Sequence, residues 1–141
     1  MAAVEQILTP AEDVRQVLQT VATVITRPKN TLLFQQGDPP SGVYVVQKGS
    51  VRMTVNTGES EIVMRVAQPG SVLGLPGVLS DKPFSLTACT TTTTELAFVK
   101  REDLIQLVRA NPTFGLQVLQ ILSEEVRFAR NAMASTRQTK A

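Results

Sequence analysis

The chain has no histidine and no tryptophan among its 141 residues, and only one cysteine and one tyrosine. Without histidine, and with its twelve carboxylates scattered, it lacks the clustered ligands that zinc and iron sites need. Serine–histidine and cysteine–histidine nucleophilic catalysis are excluded for the same reason. The lone Cys89 has no partner within the chain. It is expected to be a small buried apolar side chain, in a protein of a reducing, cytoplasmic compartment. No window approaches the roughly 20 apolar residues of a membrane-spanning helix. The N-terminus carries carboxylates early and has no basic start followed by a long apolar core, so it does not read as a signal peptide. Charge is also sparse, at 18% of residues and a net +2. The pI of 9.0 reflects a slight excess of scattered Lys and Arg, not a basic stripe, so DNA contact by this chain alone is not expected.

What is present fits one domain, long enough to bury roughly two thirds of its unfolded surface. Thr9-Pro10-Ala11-Glu12 combines a threonine cap, a proline in the first turn and a glutamate able to reach back to the cap amide. A short helix is expected there, with Val14, Val17, Leu18 and Val21 on one apolar face.

From about residue 22 to residue 100 the period changes to two, and Gly and Pro punctuate it every eight to twelve residues, as in a sandwich or barrel of short strands. Val51 to Asn56 alternates apolar and polar residues. Ile62, Met64 and Val66 repeat the pattern against Glu61 and Arg65, so both strands are expected to have one wet face. Gly58 and Gly49 supply turn residues, and consecutive antiparallel hairpins are expected around them. Val43-Tyr44-Val45-Val46 is apolar at every position, as in a strand enclosed on both faces. The run Thr90 to Thr94 is read as strand and turn because threonine is β-branched and Leu86, Leu96 and Phe98 flank it. The apolar inward positions Val51, Met53, Ile62 and Met64 argue against a metal-dependent barrel enzyme.

Helical spacing returns in Leu104, Ile105, Leu107 and Val108, and again after Asn111-Pro112, an N-cap followed by a first-turn proline. The second helix is expected to run to about Met133, with Leu116, Leu119, Leu122, Val126, Ala129 and Met133 on one stripe. That stripe is longer than a small barrel needs. Either it packs on its own barrel or it pairs with a second copy, and the second reading is favoured.

Three segments carry a family pattern: Leu33 to Asp38 around a Gly-Asp turn, Val43 to Val51 with its Tyr-Val-Val strand and Lys-Gly turn, and Gly70 to Ala88. In their order and spacing they resemble the cyclic-nucleotide-binding domain, in particular the sensor domain of the cAMP receptor protein and Fnr (Crp/Fnr) regulators. The resemblance covers about residues 10 to 133. It implies a mainly β fold, a double-stranded β-helix or jelly-roll barrel of about eight strands, with a short N-terminal helix and two C-terminal helices. It also implies a turn that holds a cyclic phosphate through backbone N–H groups, with an arginine pairing the anion and a glutamate on the ribose. A buried anion needs both the donors and the countercharge. On that pattern Gly74 falls on the family glycine, Leu75 on the glutamate, Pro83 on the proline before the arginine and Phe84 on the arginine, while Ser85 keeps the small hydroxyl. Pro76 removes one amide donor.

The sequence therefore reads as four parts: a helical segment 1–21, a cyclic-nucleotide-binding-like barrel 22–100, C-terminal helices 101–133 and a small, polar, basic tail 134–141. Gly74, Leu75, Pro76, Phe84, Ser85 and Leu86 are the candidate ligand turn. Leu119, Leu122, Val126, Ala129 and Met133 are the candidate dimer seam. The resemblance implies a non-enzymatic sensor of a transcriptional regulator, homodimeric, touching DNA only through a separate helix-turn-helix domain outside this chain. Neither cAMP nor cGMP is expected as its ligand. The turn is either filled by Leu75, Phe84 and their neighbours or re-purposed for a less charged effector. The family's iron–sulfur and histidine-ligated haem sensors find no ligands here, since the chain has one cysteine and no histidine, and Met64 and Met133 are read as core or interface residues on apolar faces. The alternative is a stand-alone interaction or dimerisation domain with no ligand.

Overall fold

The computed structural model describes residues 10–124 and 127, with side chains from Val14 onward. Helix α1 (Pro10–Gln19) leads into β1 (Thr23–Arg27), β2 (Leu32–Phe34), β3 (Gly42–Lys48), β4 (Val51–Asn56), β5 (Glu61–Ala67) and β6 (Val72–Leu73). A short helix α2 (Leu75–Ser80) follows, then β7 (Thr87–Thr90), β8 (Thr94–Lys100) and helix α3 (Arg101–Ala110). A last helix, α4, occupies 112–124 and includes residue 127.

The eight strands form two four-stranded antiparallel sheets, ordered β1-β8-β3-β6 and β2-β7-β4-β5. Except at the β4–β5 hairpin, the chain changes sheet at every connection, which is the jelly-roll plan. This corrects the expected run of consecutive hairpins. The Lys48-Gly49 turn does not fold β3 back on a neighbour in its own sheet, because β3 and β4 belong to different sheets. Alternation looks the same whichever sheet a strand joins.

The crossing at Gly49 lies against the crossing made by the threonine run. A Cβ at Gly49, where φ is 90°, would sit 2.6 Å from the Thr93 carbonyl and 2.7 Å from Thr94 Oγ1. The Thr91 N–H donates to Ser50 O at 3.0 Å, the Ser50 N–H to Thr92 Oγ1 at 3.2 Å, and Thr94 Oγ1 to Thr92 O at 2.9 Å. Thr90, 1% exposed, accepts from the Thr31 N–H at 2.8 Å and donates to Pro28 O at 2.7 Å, tying in the β1–β2 crossing. Threonine suits this place because it can extend the strand and cap neighbouring backbone at once.

The core lies between the sheets and under α1, α3 and α4, and includes Val14, Leu18, Val43, Val45, Val46, Leu96, Val99, Leu104, Phe114, Val118 and Ile121. Strand β3 is enclosed on both faces, as its continuous apolar run implies.

Other expectations fail in detail. Val21 lies beyond the end of α1 and is 37% exposed. Strand β5 carries a bulge at Met64, since Met53 pairs with Arg65 and Thr54 with Val63. The extra residue shifts the alternation, so Val66 is exposed with Val63, and Thr54 on β4 is buried. Cys89 is half-buried, paired across the sheet with Leu32 and Arg52. In α4 the residues turned into the core are Phe114, Val118 and Ile121, with Leu122 partly buried, whereas Leu116 and Leu119 are exposed. The Asn111 cap is present, its Oδ1 accepting from the Phe114 N–H at 3.1 Å. Thr9, Val126, Ala129, Met133 and the tail 134–141 lie outside the described residues.

Candidate functional site

The candidate turn begins where β6 ends. Gly74 has φ 93°, in the left-handed region, and a Cβ there would lie 2.9 Å from Cε1 of Phe84 and 3.3 Å from the Gly42 carbonyl. Glycine is therefore required twice, for conformation and for space. Pro76 sits in the first turn of α2, where a missing N–H costs nothing to the helix. The helix ends after six residues at Asp81, also left-handed with φ 54°, and the Lys82 N–H closes it on Gly77 O at 3.0 Å. The candidate ligand turn thus contains a short helix that the sequence reading did not anticipate.

Phe84 is clamped on both backbone groups by the Gly-Asp turn of the β2–β3 loop. Its N–H donates to Asp38 O at 2.9 Å, and its carbonyl accepts from the Gly37 N–H at 2.8 Å. The Asp38 carboxylate holds that loop by accepting from the Gln35 N–H at 2.9 Å.

The Phe84 ring is 3% exposed and stacks on Phe34 with centroids 4.0 Å apart and planes 22° apart. Phe34 stacks in turn with Tyr44 at 5.8 Å, and Tyr44 meets Phe98 at 4.9 Å and 48°. The result is a ladder of four rings through the barrel. Gly42 makes room at its far end, since a Cβ there would lie 2.8 Å from the Phe98 ring. Burial raises the Tyr44 phenol above its usual value, partly offset by the charge of Arg27, and its hydroxyl donates to Leu33 O at 3.4 Å. Leu75 is fully buried beside the turn.

Of the six turn residues named from sequence, Gly74, Leu75 and Phe84 are buried, Pro76 and Leu86 are half-buried, and Ser85 is exposed. The turn is lined by apolar side chains, and it offers neither a carboxylate nor a guanidinium at positions 75 and 84. Among the described residues no group of three or more His, Cys, Asp or Glu could hold a metal ion. Sequence reasoning missed the role of Phe34, Tyr44 and Phe98. They come from three different strands, and no local sequence signal links them.

A jelly-roll barrel with a glycine turn and short helix between β6 and β7, closed by C-terminal helices, is the architecture of a cyclic-nucleotide-binding-type domain. Residues 24–111 match the cyclic nucleotide-binding domain family, and the chain belongs to that family. It is 29% identical over 103 residues to the cyclic AMP receptor protein of Thermus thermophilus, covering 72% of this chain and 48% of that protein. It is 31% identical over 100 residues to the transcriptional activator FnrA of Stutzerimonas stutzeri, covering 70% and 41% respectively. The fold matches the crystal structure of the Thermus thermophilus catabolite activator protein with a TM-score of 0.77 at 23% identity, over 92% of this chain and 63% of that one. It also matches the sensor domain of the regulator DNR from Pseudomonas aeruginosa with a TM-score of 0.66 at 19% identity, over 80% and 77%. The chain spans about half, or less, of the length of these curated relatives.

Proposed function

We propose that this chain is the non-catalytic sensor domain of a Crp/Fnr-type transcriptional regulator, and that cAMP and cGMP do not bind it in the family's manner. The observation that carries the reading is the Phe84 ring, buried and stacked on Phe34 at 4.0 Å, where the family pattern places an arginine. Leu75, fully buried, stands where the pattern places the ribose-binding glutamate. Losing one member of a buried, hydrogen-bonded charge pair costs about 2 to 5 kcal/mol, and each 1.4 kcal/mol is about tenfold in affinity. With both groups replaced, a micromolar site becomes millimolar or weaker.

In this reading the turn formed by Gly74, Leu75, Pro76, Phe84, Ser85 and Leu86 is either filled by its own side chains or accepts a small effector of low charge, with no bound cofactor. The domain acts in the cytoplasm as a homodimer, paired along α4, and DNA is contacted by a separate helix-turn-helix domain. The exposure of Leu116 at 66% and Leu119 at 54%, one helical turn apart, supports a partner helix there. An effector that contacts two arrangements of α4 unequally shifts their populations.

The same exposed leucines favour a second reading, an interaction domain that dimerises and senses nothing. Thermal shift against cAMP, cGMP and a metabolite panel separates the two. Stabilisation by an uncharged or weakly charged metabolite supports the sensor, because a ligand selective for the native state raises apparent stability by mass action. A rise with micromolar cAMP overturns the ligand reading. Sedimentation of the wild type and Leu119→Glu tests the dimer seam: the wild type is expected as a dimer and the variant as a monomer.

A further inference from the structure

Helix α2 is closed at its C-terminal end by a residue from another helix. Because the Lys82 N–H turns to Gly77 O, the Val78 carbonyl has no backbone donor from its own turn, one of the orphan acceptors every helix end leaves. Arg101, the first residue of α3, fills it: its Nε donates to Val78 O at 2.9 Å. The same Nε is 3.6 Å from the carboxylate of Asp81, whose side chain is 70% exposed, so that ion pair is a minor contribution. The backbone of Arg101 is used as well. Its N–H donates to Ser41 O at 3.0 Å, on the β2–β3 loop that grips Phe84 through Gly37 and Asp38.

These bonds close a circuit. Phe84 is held by Gly37 and Asp38, the same loop holds Arg101 through Ser41, and Arg101 holds α2 through Val78. Val78 is itself fully buried, so α2 cannot swing away from α3 without exposing apolar surface and orphaning a carbonyl. We propose that Arg101 is a positioning residue that makes α2 and α3 move as one body, passing any displacement of Phe84 to the C-terminal helices. The link is mechanical, and it holds whether or not the turn takes a ligand.

Residue-resolved hydrogen exchange on the full chain tests it in the wild type, Arg101→Gln, Phe84→Leu and the double variant. Arg101→Gln is expected to speed exchange of the Val78 and Lys82 amides about tenfold, the size of one hydrogen bond to a charged group. Amides of β3 at 43–46 should be far less affected. Phe84→Leu is expected to speed exchange of α3 amides 105–110 when Arg101 is present and to add nothing there in the Arg101→Gln chain. Asp81→Asn should leave both helices within about twofold of wild type, as an exposed pair implies. The proposal is overturned if Phe84→Leu acts equally on α3 in both backgrounds, or in neither. It is also overturned if β3 opens as much as α2 in Arg101→Gln, which marks a plain stability contact, or if Asp81→Asn reproduces Arg101→Gln. Arg101→Lys, which keeps a charged donor, is expected to fall between wild type and Arg101→Gln, and it serves the same cycle if Arg101→Gln does not fold.

Discussion

The threonine crossing and the Gly74 turn are both glycine-dependent corners of one barrel, yet they are held by different forces. At the crossing, hydroxyls of Thr90, Thr92 and Thr94 and the glycine at 49 lock three passages of the chain through short side-chain-to-backbone bonds. At the turn, Phe84 and Leu75 are fixed by packing, by two backbone bonds to the Gly-Asp loop, and by the bond from Arg101 to α2. The first region has no element free to shift without breaking several bonds. The second is a short helix seated mainly by apolar packing, with Arg101 as the polar tie from another helix. Under the proposed sensor role, the corner expected to move is the one held by shape.

Substitutions can break that contrast, beginning with the largest effect. Phe84→Ala removes a buried ring from the ladder and is expected to cost about 3 to 5 kcal/mol by thermal or denaturant unfolding. It should also loosen α2 and α3 in hydrogen exchange. Gly49→Ala meets backbone at 2.6 Å with a positive φ and is expected to cost about 2 to 4 kcal/mol, with α2 and α3 as well protected as before relative to the remaining stability. Thr90→Val keeps the shape of the side chain but leaves the Pro28 carbonyl and Thr31 N–H without the hydroxyl, at about 1 to 3 kcal/mol. If Gly49→Ala or Thr90→Val released α2 as much as Phe84→Ala does, the two corners would not be mechanically distinct.

The smallest effect is a titration. Tyr44 is the one tyrosine and no tryptophan is present, so absorbance at alkaline pH reports it alone. Burial raises its pKa, so its midpoint should lie above that of the unfolded chain. The folded state then holds its proton longer than the unfolded state. The corresponding stability is complete below the unfolded phenol value of about 10 and is lost as pH rises through the folded value. A midpoint at or below that of the unfolded chain would place Tyr44 outside the ladder.

How far the sequence reaches follows the same division. Strand positions, the Asn111 cap and the turn glycines at 49 and 58 were legible because period-two patterns, caps and positive-φ residues are local signals. Which sheet each strand joins was not, since alternation is blind to its partner. Helix α2 escaped notice because Pro76 and Gly77 lower helix propensity over so short a stretch, and burial against β3 and α3 supplies what propensity does not. In α4 two apolar stripes share helical spacing, and only packing shows that Phe114, Val118 and Ile121 turn inward while Leu116 and Leu119 do not. The Gly74 and Phe84 positions could be aligned from motif spacing, but the ring ladder joins residues 34, 44, 84 and 98, and no local pattern links them.

The most direct measurement is a paired calorimetric titration with cAMP of the wild type and the Leu75→Glu/Phe84→Arg variant. The account predicts no binding to the wild type below about 1 mM and measurable binding, with ligand-dependent stabilisation, once countercharge and ribose acceptor are installed. Micromolar binding to the wild type would contradict it.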